Sequence, residues 1–171
     1  TVGSTTKTVT LTSTDVTAGY VLSTGWTLPA DGSTLTATAV LKDAAGNATP
    51  TATDTAVLDT TTPNNNQTLG LTIDADTNND GFINATEKTG TTTSLTATFD
   101  GTKAAVGDVV TFTAGGVTKT VALTSADLTA NKVTSTGWTI PADGSTLTAT
   151  ATLKDAAGNT TPVATDTAIV D

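Results

Sequence analysis

The sequence predicts an all-β protein made of repeated two-sheet sandwiches, and three observations lead there. Threonine supplies about a quarter of the chain, and β-branched side chains suit a pleated surface. Apolar and small polar residues alternate along most of the sequence, which is the period of a half-buried strand. The chain also repeats itself without a gap. "STGWTLPADGSTLTATAVLKDAAGN" (23–47) returns as "STGWTIPADGSTLTATATLKDAAGN" (135–159), an offset of 112 residues that places Lys7 on Lys119, Trp26 on Trp138 and Asp59 on Asp171.

The offset divides the chain. Residues 1–59 read as the C-terminal half of one repeat, and residues 60–171 as one complete repeat carrying an acidic loop over 74–87. The simplest account is a stretch of a longer tandem array. The first unit lacks a counterpart of residues 61–112, so its strand edges are expected to be unpaired. A strand-completing neighbour for residues 1–59 is one way to cover them; a permuted boundary of the repeat is the other.

Within the complete repeat, "QTLGLTI" (67–73), "TTSLTATF" (92–99), "DVVTFTA" (108–114), "VTKTVALT" (117–124), "KVTSTGWTI" (132–140), "STLTATATLKD" (145–155) and "PVATDTAIV" (162–170) read as strands. The segments between them, "DGTKAAVGD", "AGG", "SADLTAN", "PADG" and "DAAGN", carry turn chemistry. About seven short strands in one repeat point to an immunoglobulin-like sandwich, so the fold class is all-β, as tandem immunoglobulin-like β-sandwich repeats. "SADLTAN" has room for one helical turn with Ser125 as its cap, and no long helix is expected. Trp26 and Trp138 are each expected to fill the middle of a sandwich, with Phe99 and Phe112 pointing inward. Tyr20, which has Lys132 in the matching place, is expected at a surface. "DTTTPNNNQ" (59–67) reads as the linker between units, with Pro63 holding Thr62 extended.

Composition excludes several functions. The net charge of −9 and pI near 4.1 disfavour nucleic acid, whose phosphates would be repelled, and there is no polybasic patch for a membrane surface. No apolar run is long enough to cross a bilayer, and no signal peptide is recognisable, so an exported protein is expected to carry its signal elsewhere in a longer precursor. Cysteine is absent, which removes disulfides and thiolate metal sites. Histidine is absent too, and the serines lack a base, so an enzyme is not expected.

The loop "DTNNDGFINATE" (76–87) holds the only glutamate in the chain. Asp76, Asn78 and Asp80 occupy positions 1, 3 and 5 of an EF-hand calcium loop; Gly81 is at 6, Phe82 at 7, Asn84 at 9 and Glu87 at 12. Calcium takes six to eight oxygens at about 2.3–2.6 Å, and this spacing converges them: alternate side chains, a glycine turn, a backbone carbonyl from Phe82, and a closing carboxylate from Glu87. Asp74 lies just outside as an outer acid. Strands, not helices, flank the loop, so calcium is expected to stiffen rather than to open a helix pair. Asp59 and Asp171 are weaker candidates at the junctions, and Asp43 and Asp155 read as turn residues.

The motifs "LTIDADTNNDGFINATE", "STGWT[LI]PADGSTLTATA", "LKDAAGN" and "VLDTTTP" resemble the tandem bacterial immunoglobulin-like repeats of giant RTX-type, biofilm-associated surface adhesins. That resemblance implies an extracellular module at the bacterial cell surface. It implies partners in the neighbouring repeats of the array, and calcium held by Asp76, Asn78, Asp80, Phe82 and Glu87 with Asp74 beside them. The expected function is a calcium-stiffened extender that projects a terminal binding domain. The alternatives are a module that binds a sugar or surface directly through threonine-rich strands, and a strand-exchanged extracellular filament subunit.

Overall fold

A computed structural model describes all 171 residues, which divide into two compact units, Thr1–Thr60 and Thr61–Asp171. The longest helix has six residues, and no helix is long and apolar enough to cross a membrane.

The second unit is a two-sheet sandwich. Its strands are β3 (Gly70–Ile73), β4 (Phe82–Ile83), β5 (Thr92–Thr98), β6 (Val109–Ala114), β7 (Val117–Ala122), β8 (Lys132–Thr139), β9 (Thr146–Lys154) and β10 (Ala164–Val170). They follow a helical turn in unit 1, α1 (Ser13–Ala18), and a hairpin there, β1 (Thr34–Ala39) with β2 (Ala52–Val57). One sheet of the sandwich runs β4-β10-β9-β6-β7 and the other β3-β5-β8. All of their pairings are antiparallel except β4 with β10. The inward positions alternate along each strand as the sequence requires: Leu95 and Ala97 on β5, Val110 and Phe112 on β6, Leu147, Ala149, Ala151 and Leu153 on β9. Trp138 lies in this core at 2% exposure, with Phe99 and Phe112 also buried.

A bulge shapes β8. Thr93 pairs with Trp138 but Leu95 pairs with Ser135, so β8 carries an extra residue, and Gly137 there takes φ +73°. The carbonyls of Thr136 and Gly137 accept from Lys119 Nζ at 2.7 and 2.9 Å, while the same ammonium sits 4.5 Å from the Trp138 ring centroid. Gly70 faces the opposite demand. A Cβ there would run into Thr98 Oγ1 on the paired strand, so a larger residue requires the Thr98 hydroxyl to turn away.

Between β7 and β8 lies α2 (Ser125–Ala130). Its cap is Thr124, not Ser125: the Thr124 hydroxyl accepts from Asp127 N and the Asp127 carboxylate accepts from Thr124 N, a reciprocal box that satisfies two free helix donors. The segment expected to be a plain linker is partly structure. Pro63–Asn66 form one turn in which Asn64, Asn65 and Asn66 all take positive φ, and Pro63 and Asn64 are buried. Asparagine tolerates that left-handed region better than other residues with a Cβ. Asn64 Oδ1 accepts the N–H of Asp100 and its Nδ2 donates to Gln67 O, fastening the entry of the unit to the end of β5.

Unit 1 keeps only part of this pattern. The β1–β2 hairpin pairs in the register of β9–β10, Thr34 with Val57 as Thr146 with Ile169. Capping box, helical turn and the Lys7–Trp26 contact are all present (4.7 Å to the ring). The counterparts of β7 and β8 are not strands, and no residue of unit 1 is buried. Trp26 is half-buried, against the expectation that it fills a sandwich, because β5, which pairs with the Trp138 strand in unit 2, and β3 beyond it have no counterpart in residues 1–60.

Candidate metal centre

The acidic loop leaves the sandwich at the end of β3 and returns at β5. Its entry is held by the backbone: Asp74 N donates to Ser94 O, and Ala75 N to Thr93 Oγ1. Asp76 is 5% exposed, and its carboxylate accepts the N–H groups of Asp80 (3.0 Å) and Gly81 (2.8 Å). Asn78 Oδ1 accepts from Asp80 N, and Asp80 Oδ1 accepts from Phe82 N, both at 3.0 Å. Three successive side-chain oxygens thus turn back onto the backbone and wind the chain into a tight coil. Gly81, with φ +87°, closes that coil in a conformation open to glycine.

A two-residue strand sets the next donor. β4 pairs parallel with β10, Ile169 N donating to Gly81 O and Asp171 N to Ile83 O. Carbonyls alternate along an extended chain, so the one between them, that of Phe82, points away from β10. The N–H of Phe82, which shares its side, donates to Asp80 Oδ1. The backbone oxygen at position 7 therefore faces the side of the loop that carries the Asp80 carboxylate. This strand was not legible as alternation: two residues carry no period, and their pairing partner lies more than eighty positions away.

Glu87 closes the loop on itself. Its Oε1 accepts from Thr77 N and Oγ1, and its Oε2 from Asn84 N and Nδ2. The hydrogen bonds from Asn84, then Thr77, hold the Glu87 carboxyl below its ordinary pKa of 4.5. Asp76, Asn78 and Asp80 are joined by shared hydrogen bonds, whereas Glu87 is spent on positions 2 and 9, and no three acidic side chains stand close enough together to hold a metal. Asp74 stands apart, accepting from Thr96 Oγ1 at 2.9 Å on the face of the sheet. The donor set is all oxygen, carboxylate, amide and carbonyl, which is the chemistry a hard divalent cation requires.

The remaining acids have other work. Asp43 and Asp155 each accept from the backbone and side chain of Asn47 and Asn159, as turn residues. Asp171 reaches the loop through its backbone N–H to Ile83 O. Asp166, which sequence reading did not single out, spans the two sheets: from β10 its Oδ2 accepts the N–H of Ile73 at the end of β3 (2.8 Å). The only sign of it in the sequence is an acid at an inward, apolar position of the strand pattern. An open groove of about 460 Å³ runs beside the loop between Asp74, Glu87, Thr93 and Ile140, and no aromatic ring lines it.

Comparison with known proteins follows from this architecture. No curated protein matches the chain. Among solved structures, one described as a Ca2+-stabilized adhesin with which an Antarctic bacterium reaches out and binds ice is similar, with 26% identity and a TM-score of 0.41 over 81% of this chain. Another, a 1.5-MDa bacterial ice-binding adhesin, is similar with 21% identity and a TM-score of 0.39 over 82%. The chain spans 32% and 42% of the length of those two structures. The family described as bacterial Ig-like domain matches residues 3–60 and again residues 75–171, nearly the whole chain in two passes. The two passes divide as the two units do, and the chain belongs to the bacterial Ig-like domain family.

Proposed function

We propose that this chain is a structural extender segment of a bacterial cell-surface adhesin, in which Ca2+ binding to the 76–87 loop stiffens the complete repeat. The observation that carries the reading is the Phe82 carbonyl. β4 pairs with the last strand of the repeat while the Phe82 N–H donates to Asp80 Oδ1, which supports a position-7 oxygen on the loop side and a loop ion coupled through β4 to β10.

Asp76, Asn78, Asp80, the Phe82 carbonyl and Glu87 would hold the ion. Asp74, engaged by Thr96, contributes negative charge beside them. The ion would supply positive charge to the Asp76 and Asp80 carboxylates of the coil, and Glu87 would join them by exchanging its bonds to Thr77 and Asn84 for the ion. Modules of the extracellular class bind calcium at about 10⁻⁴–10⁻³ M, so external calcium fills the site and cytosolic calcium does not. A chain of this kind is loose before export and rigid after it. The tandem repeat and the absence of histidine and cysteine support a mechanical role over a catalytic one.

The test is thermal unfolding of metal-stripped protein, with and without excess Ca2+. A rise in the melting temperature of unit 2 that disappears in Glu87→Ala is expected. No rise in the parent chain would make the loop a self-bonded acidic turn and sink the calcium reading.

A further inference from the structure

Each open side of the sandwich in unit 2 is bridged by one charged, half-buried side chain. On the first side the facing strands are β3 and β10, which belong to different sheets. β4 covers β10 only at Ile169 and Val170. Alternate amides of β10 face this side: Asp171 N donates to Ile83 O, Ile169 N to Gly81 O, and the next in the row, Thr167 N, to Asp166 Oδ1 at 2.9 Å. On β3 the N–H of Asp74 turns to Ser94 of β5, so that of Ile73 faces outward, and it donates to Asp166 Oδ2 at 2.8 Å. One carboxylate thus takes an edge amide from each sheet.

The opposite side has the complementary arrangement. There the facing strands are β7 and β8, again one from each sheet. Thr136 and Gly137 have no partner on β5, because the bulge of β8 falls on them. Their carbonyls accept from Lys119 Nζ, which reaches across from β7. Free amides meet an anion on one side, and free carbonyls meet a cation on the other. Nothing else protects these edges by charge. The outward side chains are Thr165 and Thr167 on β10, and Thr118 and Thr120 on β7. An exposed edge of alternating threonines is a template for another strand, and an inward-pointing charge is one way to close it.

We propose that Asp166 and Lys119 seal the two sides of unit 2 against strand addition by a second copy of this chain. The repeat makes a second copy the relevant partner. Residues 23–47 and 135–159 are nearly identical, and mispairing between like neighbours is the characteristic failure of repeated domains. A strand of matching Thr-x-Thr alternation satisfies the same main-chain groups that the two charges now occupy. Without the seals, the amides of Ile73 and Thr167 and the carbonyls of Thr136 and Gly137 lack partners, and pairing with another copy supplies them. The device is independent of calcium at the 76–87 loop.

The experiment compares the full chain with Asp166→Asn, Lys119→Met and Leu153→Ala by light scattering at rising concentration, without metal. Asparagine keeps the shape of Asp166 but offers one acceptor oxygen for two amides, and methionine keeps a stem over Trp138 without the ammonium. Both variants are expected to shift toward twice the parent mass. Leu153→Ala, which weakens the core away from either edge, is expected to keep the parent mass, and so is Lys119→Arg, which keeps the cation. Association through unit 1 is common to all these chains and cancels in the comparison. Amide exchange then locates the contact: in the heavier species of Asp166→Asn, the amides of Ile73, Thr165 and Thr167 are expected to exchange more slowly than in its monomer. The proposal is overturned if Asp166→Asn and Lys119→Met keep the parent mass. It is overturned equally if Leu153→Ala associates as strongly, since lost stability is then the cause, or if those three amides stay unprotected in the heavier species.

Discussion

The two units carry nearly the same sequence over residues 7–59 and 119–171, yet one half builds a sealed core and the other buries nothing. The difference sorts interactions by range. Everything that closes within about twenty residues is present in both: the capping box, the Lys–Trp clamp, the long hairpin and the Asp–Asn turns. Everything that needs residues 61–112 is lost from unit 1. "KVTSTGWTI" is a strand because β5 lies beside it; "YVLSTGWTL", which shares six of its nine residues, has no such partner and is not a strand. β-propensity is realised only where a neighbouring strand and a second sheet receive the side chains.

The sharpest test of that comparison is a matched truncation. Leu153→Ala empties a fully buried site and is expected to cost unit 2 about 2–5 kcal/mol. Leu41→Ala, its counterpart on an exposed face, is expected to change stability within about 0.5 kcal/mol. Denaturant unfolding of the two variants checks this, and equal effects would mean that unit 1 has a core after all.

Calcium should separate the units next. With the ion at about 100 times its dissociation constant, unit 2 gains about 2.7 kcal/mol and unit 1, which has no such loop, gains nothing. Hydrogen exchange resolves the two, and a gain spread over both would break the assignment to the loop.

Asp166 and Asp54 come third. Asp166→Ala strands the buried N–H of Ile73 and is expected to cost about 1–3 kcal/mol in thermal unfolding. Asp54→Ala removes only a bond to the neighbouring Thr55 N and should be nearly silent.

The smallest effect is the one the units share. The Thr12 and Thr124 hydroxyls, then their backbone N–H groups, hold the Asp15 and Asp127 carboxyls below their ordinary value of 3.8. A carboxyl depressed in the folded state stabilises it above the unfolded pKa and loses that contribution as pH falls through the folded one. Both helical turns should therefore fray together below about pH 4, with Glu87 weakening the loop over the same acid range. Backbone NMR of α1 and α2 across that range checks it; fraying of α1 alone would show that the sandwich protects α2.

Most of the fold was readable. Seven strand runs predicted from alternation correspond to β3 and β5–β10, since a half-buried strand writes its two faces into its own residues. The spacing of Asp76, Asn78, Asp80 and Gly81 was equally plain, and the coil they form is local. The rest depended on distant partners. β4 is two residues long and exists only because β10 lies beside it. The cap of α2 is a local exception: the sequence reading placed it at Ser125, and the reciprocal bonds between Thr124 and Asp127, three residues on, put it at Thr124. Glu87 was placed by spacing, but which oxygens and amides it meets is decided by how the loop is pinned between β3, β4 and β5.

By itself, the sequence determined the strand periodicity, the repeat, the turns, the caps and the donor chemistry of the acidic loop, because each of these is settled between residues close along the chain. Only the tertiary structure decided which strands form, where Trp26 and Trp138 part company, and which way the Phe82 carbonyl faces. Those outcomes turn on whether a partner from far along the chain is present to accept a hydrogen bond or cover an apolar side chain, and no local pattern records that.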